Sequence, residues 1–203
     1  MNDLQTADAA TSGRKASVRS HLRAATATMH DRLHGAPPLA RLAKGDLDRH
    51  AYAAILQAHL LFHRHMRPAA ETAAIAMDLP AIATRSECRR QRIRQDLRDL
   101  GVEPRDAPSP PRSTDGFAVG GAYTLLGSAQ GGRIIDRRLD TVMPAMPGRS
   151  FFRGEAEEDG TWHLFCDRLE TYGRQGGRLP ALTAGAMSAF AVFRRCLETS
   201  VDR

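Results

Sequence analysis

The first candidate for chemistry is His30, an imidazole that shares one side of a predicted helix with two arginines and a threonine. Apolar side chains at helical spacing predict an amphipathic helix over residues 17–33. At about 100° per residue, His30 lies off the apolar stripe and in line with Arg19, Arg23 and Thr26. An imidazole here could ligate a metal, although a single histidine beside arginines is more often a solvated surface group.

The second candidate is a glycine-rich stretch, residues 120–135, whose apolar residues nevertheless follow a helical period. Each glycine inside a helix costs about 1 kcal/mol relative to alanine, so a tertiary contact must compensate. One side-chain-poor stripe contains Gly120, Thr124, Gly127 and Gly131. The adjacent glycines at 131–132 predict a kink. The stripe lets a second body approach the backbone, and the spacing leaves open whether that body is a neighbouring helix or a flat ligand.

His59 and His63 lie one turn apart in another predicted helix, which follows a break at residues 45–46. This spacing could chelate a metal, but the glutamate of the HExxH pattern is missing because Leu60 follows His59. We therefore interpret both as ordinary helix histidines. Pro68 is predicted to end or kink this helix.

An arginine-rich helix is predicted over residues 86–100 and could bind nucleic acid. Acidic residues interleave with the arginines, however, and the segment has no aromatic side chain that could stack on a base. We interpret it as a solvated helix with ion pairs at i,i+3 and i,i+4, and we expect no nucleic-acid partner. A basic helical protein that binds nucleic acid remains the alternative hypothesis.

The rest of the chain supplies the elements that must position these residues. Residues 104–116 are predicted to form a loop, 162–172 a short helix and 180–198 the last helix. Aromatic residues make up 5% of the chain against 42% apolar residues, which favours helices over a β-sandwich. We predict an all-α fold in which residues 1–15 are a disordered tail and residues 16–203 form one domain.

The net charge and the cysteines indicate which partners and which cellular compartment to expect. The net charge of +6 suits anionic partners. The three cysteines, Cys88, Cys166 and Cys196, are scattered and predict neither a disulfide framework nor a zinc site. The longest apolar run, residues 51–62, is too short to span a membrane. We expect a cytoplasmic protein with no membrane partner.

Two separated stretches resemble a known family. Residues 22–30 read LRAATATMH and resemble the first helix of heme oxygenases, LRxxTxxxH, in which the histidine is the proximal iron ligand. Residues 127–132 read GSAQGG and resemble the distal-helix pattern GSxxGG of bacterial enzymes, including those encoded beside bacteriophytochromes. Supporting matches are RQDLRDLG at 94–101, FFRG at 151–154 and GTWHLF at 160–165. The ordered set covers most of the chain.

The resemblance implies a heme oxygenase-like helical fold, with heme b between the first helix and a glycine-kinked distal helix. It implies His30 as the iron ligand. It implies a catalytic distal group formed by Gly127, Ser128 and Gly131. The implied heme-binding residues are Arg23, Thr26, His30, Tyr123, Gly127, Gly131, Gly132 and Arg133. The arginines and the tyrosine would meet the heme propionates as charge-assisted partners.

The implied reaction is oxidative cleavage of heme to biliverdin, carbon monoxide and ferrous iron. Heme would be both cofactor and substrate, and O₂ and an external electron donor of ferredoxin or reductase type would be required. A bacteriophytochrome is the implied receiver of the bilin. Proton delivery would depend on ordered water, because the distal stripe carries no His, Arg or Lys.

Three residues depart from the family pattern. Leu126 stands where many bacterial relatives have glutamate, Gln130 where leucine is common, and Ser128 where the mammalian type has aspartate. A serine can hold a water but supplies no carboxylate. These departures motivate a second hypothesis, a non-catalytic heme-binding or sensory protein on the same scaffold.

Overall fold

The structure is a computed structural model of the 203-residue chain, and it describes residues 17–108, 110–142, 144–155 and 157–201. The predicted tail, residues 1–15, lies outside the described residues. The described part of the chain forms eight helices: α1 (Val18–His34), α2 (Pro37–Lys44), α3 (Arg49–Ala76), α4 (Ala81–Asp99), α5 (Asp115–Val142), α6 (Ser150–Arg153), α7 (Glu157–Gly173) and α8 (Leu179–Val201). The prediction of an all-α fold is confirmed.

The N-terminus of α1, the helix that carries His30, is fixed from two sides. The side chain of Ser17 accepts a hydrogen bond from the backbone N–H of Ser20. The carboxylate of Glu170 in α7 accepts from the N–H groups of Val18 and Arg19, at 3.0 and 2.9 Å. Burial alone would raise the pKa of Glu170, but these bonds outweigh burial and lower it. A negative charge therefore stabilises the positive end of the α1 dipole.

Helix α3 is the central element and packs against α4, α5 and α8. It does not end at Pro68 but continues to Ala76, so that part of the prediction is wrong. An interior proline costs about 3 kcal/mol through its missing N–H and its ring clash. Pro68 and the alanines that follow it, Ala69, Ala70, Ala73 and Ala74, are buried. Packing of this face against the rest of the core compensates for the local cost.

The first half of the glycine stripe is a close helix crossing. A Cβ atom added to Gly120 of α5 would overlap the carbonyl of Leu182 in α8, and one added to Gly185 of α8 would overlap the carbonyl of Phe117. Thr124 Oγ1 donates a hydrogen bond to the carbonyl of Ala186, at 3.1 Å. At this end of α5, the body that approaches the bare backbone is therefore a neighbouring helix.

Two short helices and two helix starts were missed, one of them that of α7, which begins at Glu157, five residues before its predicted start. Helix α2 begins with proline at its first turn and ends at Gly45, whose φ of 71° is left-handed. From the sequence, α1 is expected to stop before the prolines at 37 and 38, and no helix is predicted to begin there. Helix α4 begins at Ala81, five residues before the predicted start, and α6 has only four residues. No helix in the described part of the chain combines the length and apolarity that crossing a membrane needs.

Candidate functional site

Helices α1 and α5 both pack against α8, and a cavity of about 690 Å³ lies between them. Its size falls within the range of small-molecule and cofactor sites, roughly 300–1,000 Å³. The structure brings eight of the nine predicted site residues to its wall: Arg23, Thr26, His30, Tyr123, Gly127, Ser128, Gly131 and Gly132. We call it the α1–α5 cavity.

His30 contributes an imidazole to the α1 side of the cavity. Its side chain is 55% exposed, and its Nδ1 atom lies 3.4 Å from Asp31 Oδ1. Its Nε2 atom lies 3.1 Å from Nε2 of His34, one turn along the helix. Burial, followed by the neighbouring His30, lowers the pKa of His34, which favours a neutral imidazole there. A proton on His30 Nδ1, facing Asp31, would leave the Nε2 lone pair available to a metal.

The α5 side of the cavity is bare backbone at Gly131. A Cβ atom added there would have no neighbour within 4 Å, whereas one added to Gly127 would lie 3.3 Å from the Trp162 ring. One added to Gly132 would lie 3.2 Å from the Phe152 carbonyl. The stripe is therefore divided between a helix contact at its first half and an open cavity at its second half. The neighbouring-helix alternative left open by the sequence therefore applies to the first half of the stripe, and a flat ligand beside the second half stays a prediction.

Positive charge gathers where Arg19 and Arg23 of α1 approach Tyr123 of α5. Both arginines are exposed and line the cavity together with Tyr123. Burial raises the pKa of the Tyr123 hydroxyl, while the two guanidinium groups oppose that rise. Two cations and a hydroxyl group form a suitable site for a carboxylate. The sequence analysis missed Arg19 as a site residue, although it lies one turn before Arg23 on the same side.

Two other predicted residues have different roles in the structure. Arg133 does not line the cavity, and its Nη2 atom donates to the carbonyl of Glu155 at 3.1 Å. Thr26 lines the cavity but its hydroxyl donates to the carbonyl of Leu22 at 2.8 Å, so its hydrogen is used within α1. Arg133 therefore does not join the other predicted residues around the cavity.

An aromatic wall closes the inner side of the cavity, and the sequence analysis did not predict it. Phe151 and Phe152 come from α6, Phe190 and Phe193 from α8, and Trp162 from α7. Helix α6 is held by Asp96 of α4, whose carboxylate accepts from the N–H groups of Phe151 and Ser150, at 2.8 and 3.1 Å, and from the Ser150 hydroxyl. Burial raises the pKa of Asp96, and these hydrogen bonds oppose the rise.

Two polar side chains also reach this inner wall. His59 of α3 packs against Phe151 and Phe193, with ring centroids 4.8 and 4.5 Å apart. The guanidinium of Arg89 lies over the Phe151 ring at 4.4 Å. Arg89 and Asp96 are both buried, so the interpretation of residues 86–100 as a solvated face is wrong for these two. Helical spacing could have placed them on one face, but it could not show that α6 covers that face.

The α1–α5 cavity fits heme by its donors and its shape. It offers one imidazole, a stretch of backbone where even a Cβ would intrude on the cavity, an aromatic wall and a basic edge. In the described residues, no group of three or more His, Cys, Asp or Glu side chains could hold a free metal ion. Iron would therefore depend on His30 together with the four porphyrin nitrogens.

The chain is similar in sequence to a known protein. No family model matches the chain. A heme oxygenase from Xanthomonas campestris pv. campestris (strain 8004) is 30% identical over 159 residues, which cover 77% of this chain and 94% of that protein.

Solved structures share the fold. The NO- and CO-bound heme oxygenase from Neisseria meningitidis superposes with a TM-score of 0.73 at 19% identity, over 92% of both chains. The heme oxygenase from Leptospira interrogans gives 0.70 at 17% identity, over 91% of this chain and 100% of that one. Heme oxygenase-1 from Synechocystis sp. PCC6803, solved with heme, gives 0.63 at 16% identity, over 91% and 92%. With the sequence relative and the fold in agreement, the chain belongs to the heme oxygenase family.

Proposed function

We propose that the protein binds heme b in the α1–α5 cavity and cleaves it to biliverdin, carbon monoxide and ferrous iron. The observation that carries the proposal is a single cavity with an imidazole on one helix and bare backbone on another. Bound heme would supply the redox iron and the ring to be opened, and O₂ and external electrons would be consumed. The protein itself must bind the heme, orient it and exclude bulk water from it.

His30 Nε2 would hold the iron, after giving up its contact with His34. Arg19, Arg23 and Tyr123 would hold the propionates at the basic edge of the cavity, which fixes the rotation of the macrocycle about the iron. The orientation matters because only one edge of the ring can face the enclosed aromatic wall. The same wall excludes bulk water from that edge.

Gly127, Ser128 and Gly131 would form the distal side. Gly131 leaves room for a small ligand, since no side chain occupies that space. Ser128 Oγ donates to the carbonyl of Leu125 at 2.7 Å, so its lone pairs can accept a hydrogen bond from a water in the cavity. Ordered water of this kind would take the place of an acidic side chain on α5.

The residues that depart from the family pattern differ in whether they line the cavity. Leu126 is buried and does not line the cavity, so the change from glutamate does not alter the cavity wall. Gln130 does line the cavity, where its amide can donate and accept hydrogen bonds. Support for the non-catalytic alternative therefore comes from Gln130 and Ser128 rather than from Leu126.

The proposal extends to subtype, partners and compartment. We assign the chain to the bacteriophytochrome-associated GSxxGG type, with a ferredoxin- or reductase-type electron donor and a bacteriophytochrome as receiver of the bilin. Cys88, Cys166 and Cys196 are free thiols, which suits a reducing cytoplasm.

Titration of the apoprotein with hemin, followed by ascorbate in air, tests the proposal by absorption spectroscopy. We expect a Soret band that forms at one equivalent and then decays as bilin absorption grows. A Soret band that persists under reductant and O₂ would instead support the non-catalytic heme protein.

The matched pair of variants is His30→Ala and His34→Ala. The first should lose the Soret band of the histidine-ligated heme, while the second should keep it. An unchanged Soret band in His30→Ala would refute the assignment of the iron ligand. No Soret band in the wild-type protein would refute heme binding itself.

A further inference from the structure

We propose that His63 and His59 form a proton path from a polar cleft between α3 and α4 to the α1–α5 cavity. The inference rests on the proposed function, because cleavage of heme consumes protons inside the cavity and α5 supplies no acid there. The path lies on α3, away from both walls that would contact the heme faces.

His59 is the end of the path at the cavity. It lines the α1–α5 cavity but is only 8% exposed, and its Nδ1 atom is enclosed by protein. In the described part of the chain, Nδ1 has no hydrogen-bond partner. An imidazole nitrogen that is buried without a partner is costly, and such groups in native proteins call for a functional explanation or a bound water.

His63 is the end of the path at the surface. A cleft of about 420 Å³ opens between α3 and α4, and His63 lines it although the residue is 0% exposed. We call it the α3–α4 cleft. Its rim carries two ion pairs, Arg67 with Glu71 at 2.8 Å and Arg90 with Glu87 at 2.7 Å. Charged and polar groups around the cleft favour its occupation by water.

The two imidazoles are one helical turn apart on the same face of α3, so they are neighbours along the helix. Both pack against the ring of Phe151, with centroid distances of 4.8 Å for His59 and 5.7 Å for His63. A water molecule that is hydrogen-bonded to one nitrogen of each imidazole can bridge His59 and His63. The chain thus places two relay groups between solvent and the cavity.

Burial, together with the surrounding positive charges, keeps both rings neutral. Burial, followed by the charge of Arg89, lowers the pKa of His59 to about 3. Burial also lowers the pKa of His63, with added effects of Arg89, His59 and Arg90, and a contact with the Ser86 backbone opposes them. A neutral imidazole has one nitrogen that accepts and one that donates, which is the form that a relay requires.

Each transfer leaves the number of protons on the rings unchanged. A proton from water in the α3–α4 cleft binds one nitrogen of His63 while the other nitrogen releases its proton towards His59 Nδ1. His59 then releases the proton on Nε2 into the α1–α5 cavity. Both rings end in the opposite tautomer, and rotation about χ2 restores the first one.

His63→Gln tests the path, because an amide keeps a polar side chain but does not exchange protons as imidazole does. We expect a decay of the hemin Soret band at least about tenfold slower than in wild type. The solvent deuterium isotope effect should rise, and the hemin Kd should stay unchanged. His65→Gln is the matched control, since His65 lies on α3 and lines neither cavity. A wild-type rate and isotope effect in His63→Gln would overturn the path.

A second variant and a second readout make the result independent of folding and of turnover. Ala83→Leu fills the α3–α4 cleft without altering either histidine, and it should slow the same step. Exchange of a proton on the enclosed Nδ1 atom of His59 with D₂O, followed by NMR of ¹⁵N-histidine apoprotein, should be slower in both variants. If wild type fails to cleave heme, the proposed function fails, but the exchange rates still decide on the path. Equal exchange rates in wild type and both variants would refute it.

Discussion

Gly127 and Gly131 show how much the role of a glycine depends on its neighbour. The two residues lie one turn apart on α5 and both line the α1–α5 cavity. A side chain at Gly127 would press on Trp162, whereas a side chain at Gly131 would extend into the open cavity. The helix therefore tolerates a larger residue at 131 for its own stability, and only a bound ligand would require glycine there.

Gly131→Leu should separate stability from heme binding. Leucine favours a helix by roughly 0.8 kcal/mol over glycine, so the Tm of the apoprotein should stay the same or rise slightly. The leucine side chain would occupy space needed by heme, and we expect the hemin Kd to rise at least about tenfold, which is roughly 1.4 kcal/mol. Fluorescence quenching by hemin and thermal unfolding measure the two quantities.

Gly160→Leu is the control for that experiment, since a Cβ atom at exposed Gly160 in α7 would also meet nothing within 4 Å. It should leave the hemin Kd unchanged. Equal losses of affinity in both variants would mean that the space beside Gly131 is not where heme binds.

At the level of single residues, the sequence correctly predicted that His30 and the glycines lie at one site, but it wrongly placed Arg133 at that site. Two residues after Gly131, Arg133 is rotated by about 200° around the helix, which directs it away from the cavity stripe. That geometry was available from the sequence. The enclosure of His59 and Arg89 was not, because it depends on aromatic side chains from α6 and α8, which are distant in the chain.

At the level of elements, the crossing of α5 over α8 is the tightest contact of the fold. Gly120→Ala should destabilise the protein because the new methyl group would overlap a backbone carbonyl of α8 that cannot rotate away. We expect the free energy of unfolding to fall by about 3 kcal/mol and the Tm to fall by about 6–12 °C. Gly131→Ala, with the same change of residue on the same helix, should be neutral or stabilising. Similar Tm values for the two variants would contradict the crossing.

Helix α3 makes stability dependent on acid through His59. Its pKa of about 3 in the folded protein lies below the value of about 6.5 in an unfolded chain. Below pH 6.5 the unfolded chain therefore binds a proton that the folded protein does not. The contribution to stability is complete above pH 6.5 and is lost as the pH falls towards 3.

His59→Leu should flatten this dependence. Between pH 5.5 and 4.5, the free energy of unfolding of the apoprotein should fall by about 1.4 kcal/mol less in the variant than in wild type. Urea unfolding at several pH values measures it. Data at pH 8 isolate the packing effect of the substitution, because the wild-type ring is neutral in both states there. If the free energies of unfolding of wild type and His59→Leu changed in parallel from pH 8 to 4.5, His59 would not be a buried neutral imidazole.

The sequence predicted the long helices well and their interruptions poorly. The spacing of apolar residues was sufficient to predict that α1, α5 and α8 are helices. It failed at Pro68, where burial of the following alanines outweighs a local penalty, and at α2, where a pair of prolines begins a helix instead of ending one. At Pro68 a tertiary contact outweighed a local preference, whereas at α2 the prolines at the first turn are themselves a local signal for the start of a helix.

At the level of the whole molecule, the α1–α5 cavity is a product of helix packing across the chain. Its wall combines Arg19 near one end of the sequence with Phe193 near the other, and each of the helices α2 to α7 contributes between them. No motif in the sequence marks these aromatic residues as one wall. Recognition of the family supplied the expectation of a heme site, and the structure supplies its boundaries.

Hemin should stabilise the whole fold, because a ligand in a cavity lined by all eight helices of the described chain binds the folded state alone. At a free hemin concentration of about 100 times Kd, the added stability is about 2.7 kcal/mol, which raises the Tm by roughly 5–10 °C. Calorimetry with and without hemin measures the shift. Gly131→Leu should show little shift at the same concentration, and a full shift in that variant would argue for binding elsewhere.

The uneven packing along α5 also has a mechanical consequence. Its N-terminal half is locked to α8, since Gly120 and Gly185 leave no space for the two backbones to slide or tilt. Displacement of α5 relative to α8 is then confined to the part of the helix beyond that fixed point, where α5 contacts α6 through Gly132 and Phe152. If heme is cleaved as proposed, the macrocycle would enter and the opened tetrapyrrole would leave beside this half of the helix, so the rates of loading and release should depend on how stiff α5 is beyond its anchor.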